Sequence, residues 1–129
     1  MLVWEDEYMR LEIDRELHVM RQIRSAHSYD DLPALQRSMK ALLEAMQSID
    51  RAEYALLQDM RAVRGRNDPE FEQAIQRELP AMTGGFRKLG VLVSTQVGRL
   101  QVQRHFSTAS TQQARAFLDE QEALRWLSE

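Results

Sequence analysis

The stretch that decides the fold contains YALLQDM (54–60), PEFEQAIQRELPAM (69–82) and LGVLVS (89–94). The first and third segments are short apolar runs bounded by turn or cap residues, which is typical of buried strands. The middle segment repeats apolar residues at helical spacing, with Asp68 as its predicted N-cap, Pro69 at its first position and two glycines beyond its end. Strand, helix and strand in this order predict two parallel strands joined by a right-handed crossover.

The alternation of helix and strand continues on both sides of this unit. Upstream, a helix begins near Pro33 and ends before Glu53, and either Asp30 or Asp31 can cap it. Its predicted apolar stripe consists of Leu35, Met39, Leu42, Leu43 and Met46.

Downstream, the sequence predicts two more helices with a strand between them. A helix over residues 96–106 is expected to turn Val97 and Leu100 toward the sheet. A strand over 114–118 then leads to a final helix capped by Asp119. The predicted buried stripe of that helix is Ala123, Leu124, Trp126 and Leu127.

Two structures are compatible with residues 7–25. Alternation of apolar and charged residues over 9–14, and again over 17–23, predicts a β-hairpin. Against it, the segment is rich in helix formers, and Asp-Arg-Glu is a poor tight turn. The hairpin is favoured because the strands that follow need edge partners. Trp4 is predicted to precede the first strand, either as a partner contact or as a cap over the core.

Composition limits the possible functions. A chain of 129 residues fits one domain, residues 1–129, without disulfides or metal. The net charge is −3, which argues against non-specific nucleic-acid binding. Cysteine is absent, and no export signal or membrane-spanning apolar run is visible. The sequence therefore predicts a soluble, cytoplasmic protein without integral membrane association, and it leaves the oligomeric state open.

The predicted order of elements, a hairpin followed by alternating helices and strands, resembles the STAS-like proteins. This class includes anti-sigma-factor antagonists and sulfate-transporter domains. The resemblance is carried by YALLQDMRAV (54–63), which is similar to the family's central strand, and by RGRNDPEF (64–71), which follows it. It implies an α/β fold with an N-terminal β-hairpin and a mostly parallel sheet.

A second resemblance is to bacterial single-domain STAS-like proteins related to the lipid-binding CRAL-TRIO domains. It is carried by GRLQVQR (98–104) and by AFLDEQEALRWL (116–127). It implies an alternative function as a carrier of a lipid or another small amphiphile. That alternative predicts a sizeable apolar cavity between sheet and helices.

The favoured function is a non-catalytic regulatory module that binds a protein partner. In true antagonists, the residues that follow the central strand present a phosphorylatable Ser or Thr at the start of the next helix. Here positions 67–70 read Asn-Asp-Pro-Glu, so the resemblance implies an interaction surface without that switch. The predicted partner-binding residues are Arg61, Arg64, Arg66, Asn67, Asp68 and Glu70.

Motifs for catalysis or cofactor binding are absent from the sequence. His18, His27 and His105 match no metal-ligand spacing and are predicted to be structural or surface residues. Ser94 and Thr95 lack the Gly-x-Ser-x-Gly elbow of a nucleophile, and no glycine-rich phosphate loop occurs. The prediction is therefore a protein that is not an enzyme, with no catalytic residues, no metal site and no cofactor.

Overall fold

The computed structural model describes residues 1–64, 68–109 and 113–129, the last five residues of the second range by their backbone alone. These residues contain six strands in one sheet, whose order follows the sequence. The first three strands are antiparallel and the last four are parallel. The strands are β1 (Leu2–Glu5), β2 (Met9–Asp14), β3 (Val19–Arg24), β4 (Ala55–Asp59), β5 (Lys88–Leu92) and β6 (Gln113–Phe117). The predicted α/β class is confirmed.

Four α-helices alternate with the parallel strands, and three of them begin at a polar cap. They are α1 (Leu32–Met46), α2 (Pro69–Thr83), α3 (Gln96–Ala109) and α4 (Glu120–Leu127), with a short 3₁₀ turn at Arg51–Glu53. Asp31 caps α1, because its Oδ1 accepts a hydrogen bond of 2.8 Å from the backbone N–H of Ala34. The side chains of Thr95 and Asp119 cap α3 and α4 in the same way.

The N-terminal segment is a hairpin, as predicted. The poor turn sequence is compensated by Asp14, whose Oδ1 accepts 3.0 Å hydrogen bonds from the backbone N–H groups of Glu16 and Leu17. His18 completes the turn with φ of 55°, in the left-handed region. Strand β1 was not predicted. Trp4 therefore lies inside a strand, paired with Leu11, and does not precede the first strand.

The two faces of the sheet are covered unequally. Helices α1 and α2 pack on the first face over a large apolar cluster that includes Leu11, Leu35 and Leu56. On the second face, α4 contacts β4, β5 and β6, and its Leu127 lies against Gly90. The second face of β2 carries charged side chains instead, and there Arg10 pairs with Glu5 and Glu12 at 3.4 and 3.2 Å.

The predicted orientation of α3 is wrong. Val97 and Leu100 were expected to face the sheet, but they are 65% and 53% exposed. The side of α3 that approaches the sheet carries Gly98 and Val102 instead, four residues apart. A Cβ at position 98 would lie 3.7 Å from the Cβ of Val93, which is ordinary van der Waals contact, and 3.0 Å from the hydroxyl of the capping Thr95.

Candidate functional site

A cleft of about 360 Å³ lies between α2 and the loops at the carboxyl ends of β3 and β4. This volume falls in the range of about 300–1,000 Å³ that is typical of small-molecule sites. One wall is formed by α2, the other by the two loops, and most of the lining side chains are apolar. The lining residues are Arg24, Ser28, Tyr29, Met60, Val63, Arg64, Phe71, Glu72, Ile75, Gln76 and Leu79.

The loop after β4 is held in place by two backbone hydrogen bonds, one to the end of β5 and one within the loop itself. The N–H of Met60 donates to the carbonyl of Leu92 at 2.9 Å, which ties the loop to β5. The N–H of Val63 donates back to the carbonyl of Met60 at 3.2 Å and forms a tight turn. Met60, Val63 and Arg64 thereby form a fixed wall of the cleft.

Arg24 is a buried cation on the cleft wall. It is the last residue of β3 and is only 9% exposed. Its Nε donates to the backbone carbonyl of Tyr8 at 3.2 Å, and its guanidinium carbon lies 4.6 Å from the centre of the Tyr29 ring. Burial raises the pKa of Tyr29, which keeps the phenol neutral beneath the cation. The backbone carbonyl of Tyr8 and the ring of Tyr29, which come from separate loops, therefore fix the position of this guanidinium.

A second group of charges lies on the other face of the sheet, where α4 begins. Asp59 is 6% exposed and accepts hydrogen bonds from Arg61: 3.1 Å from the backbone N–H, 3.0 Å from Nε and 2.8 Å from Nη2. Glu120 lies within 3.9 Å of Arg61 and accepts a hydrogen bond from Arg21. Burial alone would raise the pKa of Asp59, but the hydrogen bonds and positive charges around it outweigh burial, so this pKa lies below its ordinary value.

The predicted partner-binding residues are divided between these two places. Arg61 is held by Asp59 and Glu120 on the α4 side of the sheet, whereas Arg64 is exposed and lines the cleft on the α2 side. Glu70 is exposed in the first turn of α2.

Asp68 occupies the predicted N-cap position of α2. Its carbonyl accepts backbone hydrogen bonds from Phe71 and Glu72, but its side chain does not make the predicted cap bond. Arg66 and Asn67 lie outside the described residues. Whether these residues bind a partner stays a prediction.

Three titratable side chains meet next to the cleft, although the sequence spacing gave no sign of it. Nε2 of His27 lies 3.5 Å from a carboxylate oxygen of Glu7 and 3.7 Å from one of Asp30. Their ligand atoms lie within 4.8 Å of one another, and all three residues are exposed. Tyr8 stacks on His27 and its hydroxyl donates to Asp30 at 3.2 Å. The geometry fits a surface ion-pair cluster and is also compatible with a divalent cation.

Two buried glutamines, Gln22 on β3 and Gln58 on β4, lie on the face of the sheet that α1 and α2 cover. Nε2 of Gln58 donates to Oε1 of Gln22 at 3.0 Å, and Nε2 of Gln22 contacts the sulfur of Met9 at 3.3 Å. Gln22 and Gln58 are register partners in neighbouring parallel strands. Because side chains alternate along a strand, Arg24 lies on the same face as Gln22. Because the alternation over 17–23 assigned the odd-numbered residues to the covered face, no sequence signal pointed to positions 22 and 24.

Comparison with known proteins gives the fold. No family model matches the chain. No curated protein matches either. The structure is similar to that of an uncharacterised DUF3478-family protein with a SpoIIAA-like fold from Shewanella loihica PV-4, with a TM-score of 0.64 and 11% sequence identity. The alignment covers 96% of this chain and 98% of that one.

No helix within the described ranges is both long enough and apolar enough to cross a bilayer. The similarity to the Shewanella protein extends from the N-terminal hairpin to the last helix, because it covers nearly the whole chain. The chain therefore has a SpoIIAA-like fold of the STAS-like class, which confirms the resemblance drawn from its sequence.

Proposed function

We propose that this protein is a non-catalytic binding module that takes a small amphiphile into the cleft between α2 and the carboxyl ends of β3 and β4. The observation that carries the proposal is the composition of the cleft. Met60, Val63, Phe71, Ile75 and Leu79 supply apolar walls, and buried polar groups lie at one end. A concave, mostly apolar site with a few convergent polar groups is the usual form of a small-molecule site.

The position of the cleft supports the same function. In open α/β sheets, ligands bind outside the carboxyl ends of the parallel strands. The loops after β3 and β4 emerge at that edge, and both contribute side chains to the cleft. The carrier function that the sequence gave as an alternative calls for a cavity between sheet and helices, and the apolar lining of this cleft, between α2 and the loops that leave the sheet, supports it.

Native mass spectrometry of the protein purified gently from its own cells tests this function. We expect an additional mass of a few hundred daltons on the wild type. Ile75→Trp, which fills the cleft with an indole ring, should abolish the extra mass. Val97→Trp is the matched control, because Val97 is exposed on α3 and does not line the cleft. Equal loading of the two variants, or no added mass on the wild type, would contradict the proposal.

A second function, regulatory protein binding, is favoured by the exposure of Arg64 and Glu70 beside the cleft. The predicted partner-binding residues then contact that partner, and the module acts in the cytoplasm. Replacing both Arg64 and Arg66 by Glu should abolish capture of the partner without lowering the melting temperature. Arg125→Glu on α4 is the control for a change of charge elsewhere. Undiminished capture by the double variant would exclude this surface.

A further inference from the structure

Arg24 differs from Arg21 and Arg61 in its electrostatic surroundings. Arg21 and Arg61 lie beside Glu120, and Arg61 also pairs with Asp59. In the part of the chain that the structure describes, no carboxylate lies within ion-pair distance of Arg24. Its contacts are the carbonyl of Tyr8 and the ring of Tyr29.

These two contacts compensate the buried charge only in part. Removing a cation from water is costly unless a counter-ion is present. An aromatic face offsets only part of this cost, and a carbonyl occupies one of the five N–H donors of a guanidinium. Donors of Arg24 therefore stay available on the wall of the cleft that it lines.

The charge and size of the cleft narrow the class of anion. A planar guanidinium fork matches a carboxylate, which it can bind through two parallel hydrogen bonds. Arg64 and Glu72 also line the cleft, so two cations and one carboxylate give the lining a net charge of +1, which matches a monoanion better than a dianion such as a phosphate monoester. The apolar lining residues of the cleft suit a ligand whose remainder is a hydrocarbon.

We propose that the cleft binds an aliphatic monocarboxylate, with its carboxylate on the guanidinium of Arg24 and its chain along the apolar side of α2. This inference rests on the proposed function of the cleft and adds the chemical class of the ligand. Tyr29 acts as a positioning residue, because its ring holds the guanidinium of Arg24 in place.

Isothermal titration calorimetry at pH 7 with octanoate, 1-octanol and octylamine separates the head group from the chain. We expect octanoate to bind wild-type protein about 10- to 100-fold more tightly than 1-octanol, the effect of one charge-assisted pair. Octylamine should bind more weakly than 1-octanol, because its ammonium meets a buried cation. Equal affinity for octanoate and 1-octanol would overturn the assignment of the head group and leave the amphiphile function standing.

Variants of Arg24 provide the second measurement. Arg24→Met should lower the affinity for octanoate to that for 1-octanol and leave the latter unchanged. Arg77→Met is the matched control, because Arg77 is exposed on α2 and does not line the cleft. Octanoate affinity that survives in a folded Arg24→Met protein would overturn the inference. Should that variant not fold, the comparison of the three probes on wild-type protein decides it, and failure of every probe to bind would overturn both proposals.

Discussion

Replacing Asp59 by Asn should destabilise the protein far more than an exposed carboxylate-to-amide change. Asp59 is buried and accepts three hydrogen bonds from Arg61. In the Asn variant, an amide N–H₂ faces donors of Arg61, so at least one charge-assisted bond is replaced by a contact between two donors. A fully buried pair broken in this way costs about 3–5 kcal/mol.

The expected loss is smaller than that range, because Arg61 is 42% exposed and water can solvate it. We therefore expect a decrease of about 2 kcal/mol in the free energy of unfolding. For 129 residues the entropy of unfolding is about 0.27 kcal/mol/K, so the melting temperature should fall by roughly 7 °C. Glu5→Gln, which removes an exposed pair with Arg10, should cost less than about 0.5 kcal/mol.

The pH dependence of the stability difference between wild type and Asp59→Asn distinguishes loss of this charged pair from a general disruption of the fold. The pKa of Asp59 is lower in the folded protein than the value of about 3.9 expected in the unfolded chain. Its stabilisation is therefore fully present above that unfolded pKa and is lost as the pH falls through the folded pKa. Urea denaturation of wild type and Asp59→Asn should give a constant difference from about pH 5.5 to 7 that shrinks below about pH 4. A difference that persists unchanged to pH 3, or one below about 0.5 kcal/mol at pH 7, would refute the reasoning.

Three further predictions concern the scaffold. Gly85→Ala should destabilise by about 1–2 kcal/mol in thermal denaturation and Gly85→Asn by less, because φ at this position is +86° and Asn tolerates the left-handed region. Leu127→Ala should lower the free energy of unfolding by about 2–5 kcal/mol, because Leu127 is fully buried. Leu100→Ala, on the exposed side of α3, should change it by less than about 0.5 kcal/mol. Equal effects would contradict the observed orientation of α3. Residues 1–129 should unfold in one cooperative transition by calorimetry if they form one domain, and two separate transitions would argue against it.

Local patterns were sufficient to predict the parallel half of the sheet. Apolar strands separated by capped helices have short-range signals, so β4, α2 and β5 were found within two residues of their observed ends. The cap of α1 was left open between Asp30 and Asp31, since both can accept the same bond. The structure selects Asp31.

The sequence misled where burial depends on tertiary packing. Val97 and Leu100 are apolar, but the side of α3 that carries Gly98 and Val102 is the one that approaches the sheet. Strand β1 has four residues, too few to show a period, and its pairing with β2 depends on an edge that no local pattern reveals.

The cleft could not be predicted from motifs, because its residues come from three separate parts of the chain. Arg64 was predicted from the sequence to bind a partner, whereas no functional role was predicted for Arg24. The alternation over 17–23 assigned the odd-numbered residues to the covered face, so it gave no signal for position 24. In the structure, Arg24 lies on the covered face with the buried Gln22.

Methyl NMR spectra recorded during a titration with octanoate or 1-octanol test the central claim most directly, because they locate the ligand as well as detect it. If the cleft is an amphiphile site, the methyl resonances of Val63, Ile75 and Leu79 should shift in a saturable way, and those of the exposed Val97 and Leu100 should not. Shifts confined to Val97 and Leu100, or no saturable shift with either probe, would contradict it.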